Sequence, residues 1–262
     1  MKVLVLIGSI RRNGNTDQVT GLIKEHLEKE ARAIQTELEI ETIYLGQENL
    51  EFCRGCRICF DRGEEHCPAR GDILAIKAKM LAADGILLAS PVYVDDVSGL
   101  TKTFIDRLCH LCHRPQFGGK VAYVVATSGG SPSRKTLDTM KMALQTWGYQ
   151  VIGASGFKMG ALMKRDETRA QFATQAALAA RRLFQAISQE SGRSPTFFSL
   201  MMFKIQQRAW LSETNQDTID YRYWQQQGWL ERDSTFYIPH RASTLKVAAA
   251  RLTGGIIARF VT

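Results

Sequence analysis

Apolar positions along this chain fall into short continuous runs separated by longer stretches of helical spacing. Val3 to Ile7 is an unbroken apolar run ending at Gly8, the pattern of a strand buried on both faces. The polar loop Gly8 to Thr16 follows, and then a helical pattern from near Asp17, with Asn15 or Thr16 placed to cap it. Leu38 to Tyr44 alternates, with Leu38, Ile40, Thr42 and Tyr44 on one face of a second strand. A helix over Gly71 to Ala83 leads to a strand at Gly85 to Ala89 that runs into Ser90-Pro91-Val92-Tyr93. Further units follow: a helix from Val97 to about Cys112, a strand Val121 to Ala126, a helix Ser133 to Trp147, a strand near Val151 to Phe157, and a helix from Asp166 to about Gln189. This alternation predicts an α/β fold, a doubly wound parallel sheet of five strands. It stops around Ser191 to Pro195, so the pattern divides the chain into a domain over 1–190 and a mostly helical C-terminal extension over 191–262.

Composition changes this picture little. The hydrophobic content of 45% and charged content of 23% are those of an ordinary globular chain. The net charge of +8 is dispersed, with no run of basic residues, so it reads as a solvated surface attractive to anionic cofactors and not as a nucleic-acid footprint. The first apolar run is too short for a signal peptide, and no segment reaches the ~18 apolar residues of a spanning helix. A cytoplasmic location is expected. Phe197, Phe198, Leu200, Met201, Met202 and Phe203 read as packing on the main domain or a second subunit in preference to a membrane face, although Lys246 to Val261 is amphipathic and basic.

The cysteines carry the most chemistry. Cys53, Cys56, Cys59 and Cys67 are spaced C-x2-C-x2-C-x7-C on a loop, residues 53–67, inserted between the second and third strands. In a reducing compartment such a run means metal or redox work and not disulfides. Two-residue gaps followed by Pro68 favour an iron-sulfur cluster. Zinc, which prefers separated C-x2-C pairs, and metal-free thiols are the alternatives. Cys109-His110-Leu111-Cys112-His113 matches the haem-attachment pattern but reads as a continuation of the preceding helix, its thiols packed as small apolar groups.

In an open α/β sheet ligands bind outside the carboxyl ends of the strands, where strand order reverses. Three loops lie there. Ser9 to Thr16 offers hydroxyls, backbone amides and two arginines, Arg11 and Arg12, at a helix N-terminus, the chemistry a phosphate monoester requires. It carries neither the dinucleotide G-x-G-x-x-G nor the lysine of a P-loop. Ser90 to Tyr93 combines a proline-stiffened turn with an aromatic ring, and Thr127 to Gly130 has glycines that let amides approach a ligand.

Three motifs, Gly8-Ser9-Ile10-Arg11-Arg12-Asn13-Gly14-Asn15-Thr16, Ala83-Asp84-Gly85 leading to Ser90-Pro91-Val92-Tyr93, and Lys102-Thr103-Phe104-Ile105-Asp106-Arg107, together resemble the NADPH-dependent FMN reductase group of the flavodoxin-like superfamily. The cysteine run resembles its iron-sulfur flavoprotein branch, with a gap before Cys67 at the long end for that branch. The resemblance implies a flavodoxin-like fold over residues 1–190 and FMN as cofactor. It implies phosphate at Ser9, Arg11, Asn13, Asn15 and Thr16, and the isoalloxazine ring near Pro91, Val92, Tyr93, Thr127, Ser128, Gly129 and Gly130. NAD(P)H is the implied electron donor, and Cys53, Cys56, Cys59 and Cys67 are the implied ligands of a four-iron four-sulfur cluster. Asp106 and Arg107 are expected to be structural or to lie at a subunit contact, in a homodimer or homotetramer. No acid or base side chain stands out, so no catalytic residue is assigned; the cofactor carries the chemistry. The expected activity is an FMN-dependent oxidoreductase with a small-molecule or protein redox partner. An electron carrier or redox sensor, and a quinone or nitro-compound reductase with metal-free cysteines, remain the other readings.

Overall fold

The chain begins with β1, Lys2–Ile7, whose residues from Val3 to Ile7 are fully buried, and enters α1, Asn15–Ala33, through the polar loop. The computed structural model describes residues 1–161, 163–189, 194–212 and 216–261. Next come β2, Glu39–Tyr44; a single helical turn α2, Ile58–Asp61; α3, Ile73–Ala82; β3, Gly85–Tyr93; a two-residue β4, Asp96–Val97; and α4, Gly99–Arg107. The series continues with β5, Val121–Ser128; α5, Arg134–Thr146; β6, Gln150–Lys158; and α6, Arg165–Ser188. Three helices, α7 at Phe197–Trp210, α8 at Ile219–Gln226 and α9 at Thr244–Val261, complete the chain.

The sheet runs β2-β1-β3-β5-β6, all parallel, with β4 paired antiparallel to the end of β3. Leaving aside β4, this is the flavodoxin-like order, which reverses between β1 and β3. Period-two alternation assigns the faces. Val3, Val5 and Ile7, with Leu87, Ala89, Val121, Tyr123 and Val125, pack under Val19, Ile23 and Leu27 of α1 and Phe172, Ala176 and Leu183 of α6. The intervening residues, Leu4, Leu6, Ile86, Leu88 and Val124, are buried on the other face, where Phe104 of α4 meets Trp147 edge-on at 5.7 Å. Each such side chain contributes about 1.5–3 kcal/mol on burial.

The predicted helix from Val97 to Cys112 is shorter than expected. It ends at Arg107, because Leu108 leaves helical geometry with φ −105° and ψ 20°, and Cys109–Cys112 forms a 3-10 turn.

Two compact units emerge. The first comprises Met1–Arg54, Ala69–Cys109 and Lys120–Gln189, the sheet and its helices. The second gathers Gly55–Pro68 and His110–Gly119 with the C-terminal segment from 190 onward. Of the predicted interdomain stretch Ser191 to Pro195, Ser191 to Arg193 lie outside the described residues. The second unit has its own core of Phe203, Trp210, Trp224 and Trp229, with Tyr237 packing 5.0 Å from Phe203 and 4.8 Å from Trp229. Thr196 and Thr218 cap α7 and α8 by accepting the amides of Ser199 and Tyr221. Ala250, Gly254 and Ala258 bury one face of α9, and a Cβ at Gly254 would stand 2.7 Å from the Met201 carbonyl, so the helices meet backbone to backbone. On α9's other face Leu245, Leu252, Ile256 and Phe260 are exposed. Among the described residues no helix is long and apolar enough to cross a membrane.

Candidate functional site

The site is built at the β1/β3 reversal, within the first unit. Gly8 ends β1 with its amide donated to Ala89 O at 2.8 Å, and its carbonyl accepts the Ser98 hydroxyl at 2.6 Å. A Cβ at Gly8 would stand 1.8 Å from Thr101 Oγ1, so only glycine fits. Beyond it the loop folds on itself. Buried Ser9 accepts the Arg11 amide at 3.1 Å, and Asn13, at φ +59°, donates its amide to Asp17 at 2.7 Å. Gly14 stands at the N-cap of α1 and supplies no side-chain acceptor to the helix's first amides, and Asp17 is the acidic residue of the first turn, on the positive end of the helix dipole. Arg11 is exposed beside it. Arg12 is directed elsewhere: its guanidinium donates to Gln47 at 2.7 Å and lies 4.9 Å over the Tyr44 ring. Tyr44 in turn donates to Asp17 at 2.6 Å, and burial together with that bond pushes its phenol up to about 12.

Thr16 and Asn15 tie this loop to the rest of the strand edge. The Thr16 hydroxyl meets that of Thr127, both buried, at 2.6 Å. The Asn15 amide group donates to Gly160 O at 3.2 Å and accepts the Met163 amide at 3.0 Å. Gln18 reinforces the tie, donating to Asn13 O and Met163 O, both at 2.9 Å. The sequence reading missed these contacts to Gly160 and Met163, which follow β6. Their signal was Gly160, which takes φ +67° directly after a strand and before a helix.

The second loop is a hairpin. Pro91 pairs with Thr127 in the sheet, and β3 continues to Tyr93 before turning through Val94 and Asp95, at φ +51° and +61°, into β4. Two consecutive left-handed residues define a type I′ turn, which elsewhere favours Asn-Gly. Val94 is fully exposed and Tyr93 half exposed, its ring standing at the sheet's carboxyl edge. Asp96 anchors the turn. Burial opposes its charge, but bonds from the Val97 amide, Thr139 and Lys135 outweigh that and hold its carboxyl below the usual range. From the third loop, Thr127 and Ser128 are buried while Gly129 and Gly130 are exposed, and a Cβ at Gly130 would meet nothing within 4 Å. The predicted loops therefore converge on one edge. An open glycine turn, a helix start with no side-chain cap and a flat half-exposed aromatic fit a phosphorylated planar ring.

Behind α1 a polar cleft of about 250 Å³ is lined by Lys24, Glu25, Arg165 and Arg169 among others. Its charges answer one another, with Arg169 on both oxygens of Glu25 at 2.9 and 2.7 Å, so it braces α1 against α6.

Cys53 and Cys56 are exposed, Cys59 and Cys67 half-buried, and among the described residues no group of three or more Cys, His, Asp or Glu is placed to hold a metal. Cys53 belongs to the first unit and the other three to the second. In the first unit the neck of this loop is closed by Arg107. Buried, it donates to Glu51 O at 2.7 Å, Arg70 O at 3.0 Å and Ala69 O at 2.7 Å. Gly71 completes the closure at φ +114°, where a Cβ would overlap Asn49 O. The donor type of the four residues suits an iron-sulfur cluster.

Known proteins resemble this chain in sequence and in fold. The family model described as NADPH-dependent FMN reductase matches residues 1–162. An iron-sulfur flavoprotein of Archaeoglobus fulgidus is 31% identical over 159 residues, covering 60% of this chain and 69% of that protein. One from Methanocaldococcus jannaschii is 40% identical over 135 residues, covering 50% of this chain and 65% of that protein. Among solved structures, RosB with a bound 8-demethyl-8-formylriboflavin-5′-phosphate is similar in fold, with a TM-score of 0.55, at 15% identity over 72% of this chain and 79% of that one.

Proposed function

Since this chain belongs to the NADPH-dependent FMN reductase family, we propose that it is an FMN-dependent oxidoreductase that takes reducing equivalents from NAD(P)H and passes them to a small-molecule or protein acceptor. The observation that carries this reading is the loop Ser9 to Thr16, seated on an α1 N-terminus without a side-chain cap at the one reversal of strand order. Bound there, FMN would supply hydride acceptance and electron donation. The chain's own residues bind and orient. Ser9, Asn13, Asn15 and Thr16 present amides and hydroxyls to the phosphate, with Arg11 as its cation. Pro91, Val92 and Tyr93 flank one side of the ring, and the amides of Ser128, Gly129 and Gly130, with Thr127, lie along its polar edge. Fixed donors at that edge favour negative charge without reorganisation.

The names of the relatives and the cysteine spacing support a four-iron four-sulfur cluster on Cys53, Cys56, Cys59 and Cys67. These four thiols would be its donors. The exposed stripe of α9 supports a homodimer or homotetramer. Titrating the purified protein with FMN and following NADH and NADPH oxidation anaerobically tests the main reading. Failure to bind flavin would end it, whereas flavin reduced only by a protein donor would make it an electron carrier. Iron and acid-labile sulfide analysis decides the cluster.

A further inference from the structure

The turn that carries Cys59 cannot hold itself. Ile58–Asp61 is four residues long and starts behind Arg57, a left-handed residue at φ +64° with no side-chain cap, far below the length at which a helix is stable alone. What holds it comes from far along the chain, inside the second unit. Arg114, buried, donates to the Cys59 carbonyl at 2.6 Å and to Glu64 at 3.1 Å. Its other nitrogen is ion-paired with Asp220, equally buried, at the start of α8. The second oxygen of Asp220 meets His113 Nδ1 at 2.7 Å, and the His113 ring lies between Phe60 at 4.6 Å and Trp210 at 5.2 Å. The backbone of the same strap is bonded by C-terminal side chains: Gln206 to Cys112 O at 2.6 Å, Trp224 to His113 O at 2.7 Å and Tyr223 to Pro115 O at 2.8 Å.

We infer that the C-terminal helices position the cysteine turn, with Asp220 acting through Arg114 on the Cys59 carbonyl and through His113 on the Phe60 ring. Asp220 is a positioning residue, and the inference rests on the reading of these cysteines as metal-ligating or redox thiols. One carboxylate grips two adjacent residues, one by its carbonyl and one by its ring. That fixes the backbone at Cys59 and hence the origin of its thiol. Ordering a thiolate before it meets a metal or an oxidant removes the entropy that a loose loop would otherwise lose at that moment.

Hydrogen exchange on the full-length protein as purified tests this without any variant. Amides of 56–66 are expected to exchange in step with those of α8, because both open only when the clamp opens. Exchange of 56–66 about a hundredfold faster than α8 would overturn the inference. Two variants separate positioning from mere stability. Asp220→Asn keeps the size of the side chain but loses the charge. Arg114→Met with Asp220→Leu replaces the buried pair by apolar groups of similar volume, a change that commonly preserves folding. In both, exchange over 56–66 and iodoacetamide labelling of Cys59 in metal-free protein, read residue by residue by mass spectrometry, should rise at least about tenfold. Labelling of Cys53 should stay unchanged. A double variant that melts like the parent and labels at the parent's rate would show Asp220 to be structural only. Iron and sulfide contents are read in parallel: a chain without either defeats the cluster, while the exchange and labelling results still decide the clamp.

Discussion

The hydroxyls of Thr16 and Thr127, 111 positions apart in sequence, lie 2.6 Å from each other in a buried contact that joins the first turn of α1 to the carboxyl end of β5. The contact places the proposed phosphate loop and ring-edge loop in one rigid frame.

Thr127→Val leaves the Thr16 hydroxyl buried without this partner and should lower stability by about 1–3 kcal/mol. Adding Thr16→Val should restore much of that, since an apolar pair of the same shape leaves nothing unsatisfied. If Thr16 also serves the phosphate, the double variant will be stable yet bind FMN about tenfold more weakly in a fluorescence titration. Undiminished affinity would remove the Thr16 hydroxyl from the binding set.

Asn15 bonds both Gly160 and Met163. Asn15→Leu should therefore release Gly160 and Met163, seen as faster hydrogen exchange at Met159 and Gly160, and weaken FMN binding by about 1–2 kcal/mol. Tight binding with faster exchange there would show that these contacts play no part in holding the flavin.

Val94 is a β-branched residue at φ +51° with its side chain wholly in solvent, so it contributes strain and no packing. Val94→Asn with Asp95→Gly supplies the residues a type I′ turn prefers and should raise the urea midpoint by the equivalent of about 1 kcal/mol. If NAD(P)H turnover falls while stability rises, Val94 is retained for contact with a ligand.

Lys204 gives the second unit a pH dependence. Burial, then the neighbouring charges of Arg251 and Arg208, brings its ammonium down from 10.5 to about 8. The folded state thus holds this proton less firmly than the unfolded chain, so stability rises as pH climbs from about 8 toward 10.5. Tyr44 and Tyr223, both raised to about 12 by burial above all, act in the opposite direction only above pH 10. The melting temperature should increase between about pH 7.5 and about pH 9.5, and Lys204→Met should flatten that rise.

The apolar face of α9 predicts self-association. Leu252→Glu with Phe260→Glu should yield a lighter species by light scattering, because both side chains are exposed in the single chain and their replacement costs it little. A parent protein that is monomeric at all concentrations would contradict the proposed oligomer.

The strand runs, the helix between each pair and the three loops at the strand ends were legible because period and turn chemistry are local. Val3 to Ile7, a short β-branched and apolar run stopped by Gly8, has the length and composition of a buried strand, and the polar loop after it leads into a helical period. That determined the parallel sheet and the strand-end edge at which these loops gather. Only the tertiary structure decided which groups in those loops are free to act. Arg12 and Arg11 are adjacent, chemically identical and both exposed, yet it is Arg12 whose guanidinium is engaged by Gln47 and the Tyr44 ring. The same holds for the cysteine run. Its spacing is a property of the chain, but the neck closed by Arg107 and the turn held by Arg114 and Asp220 depend on bonds between residues 37 to 106 positions apart, and contacts of that span leave no periodic trace in a sequence.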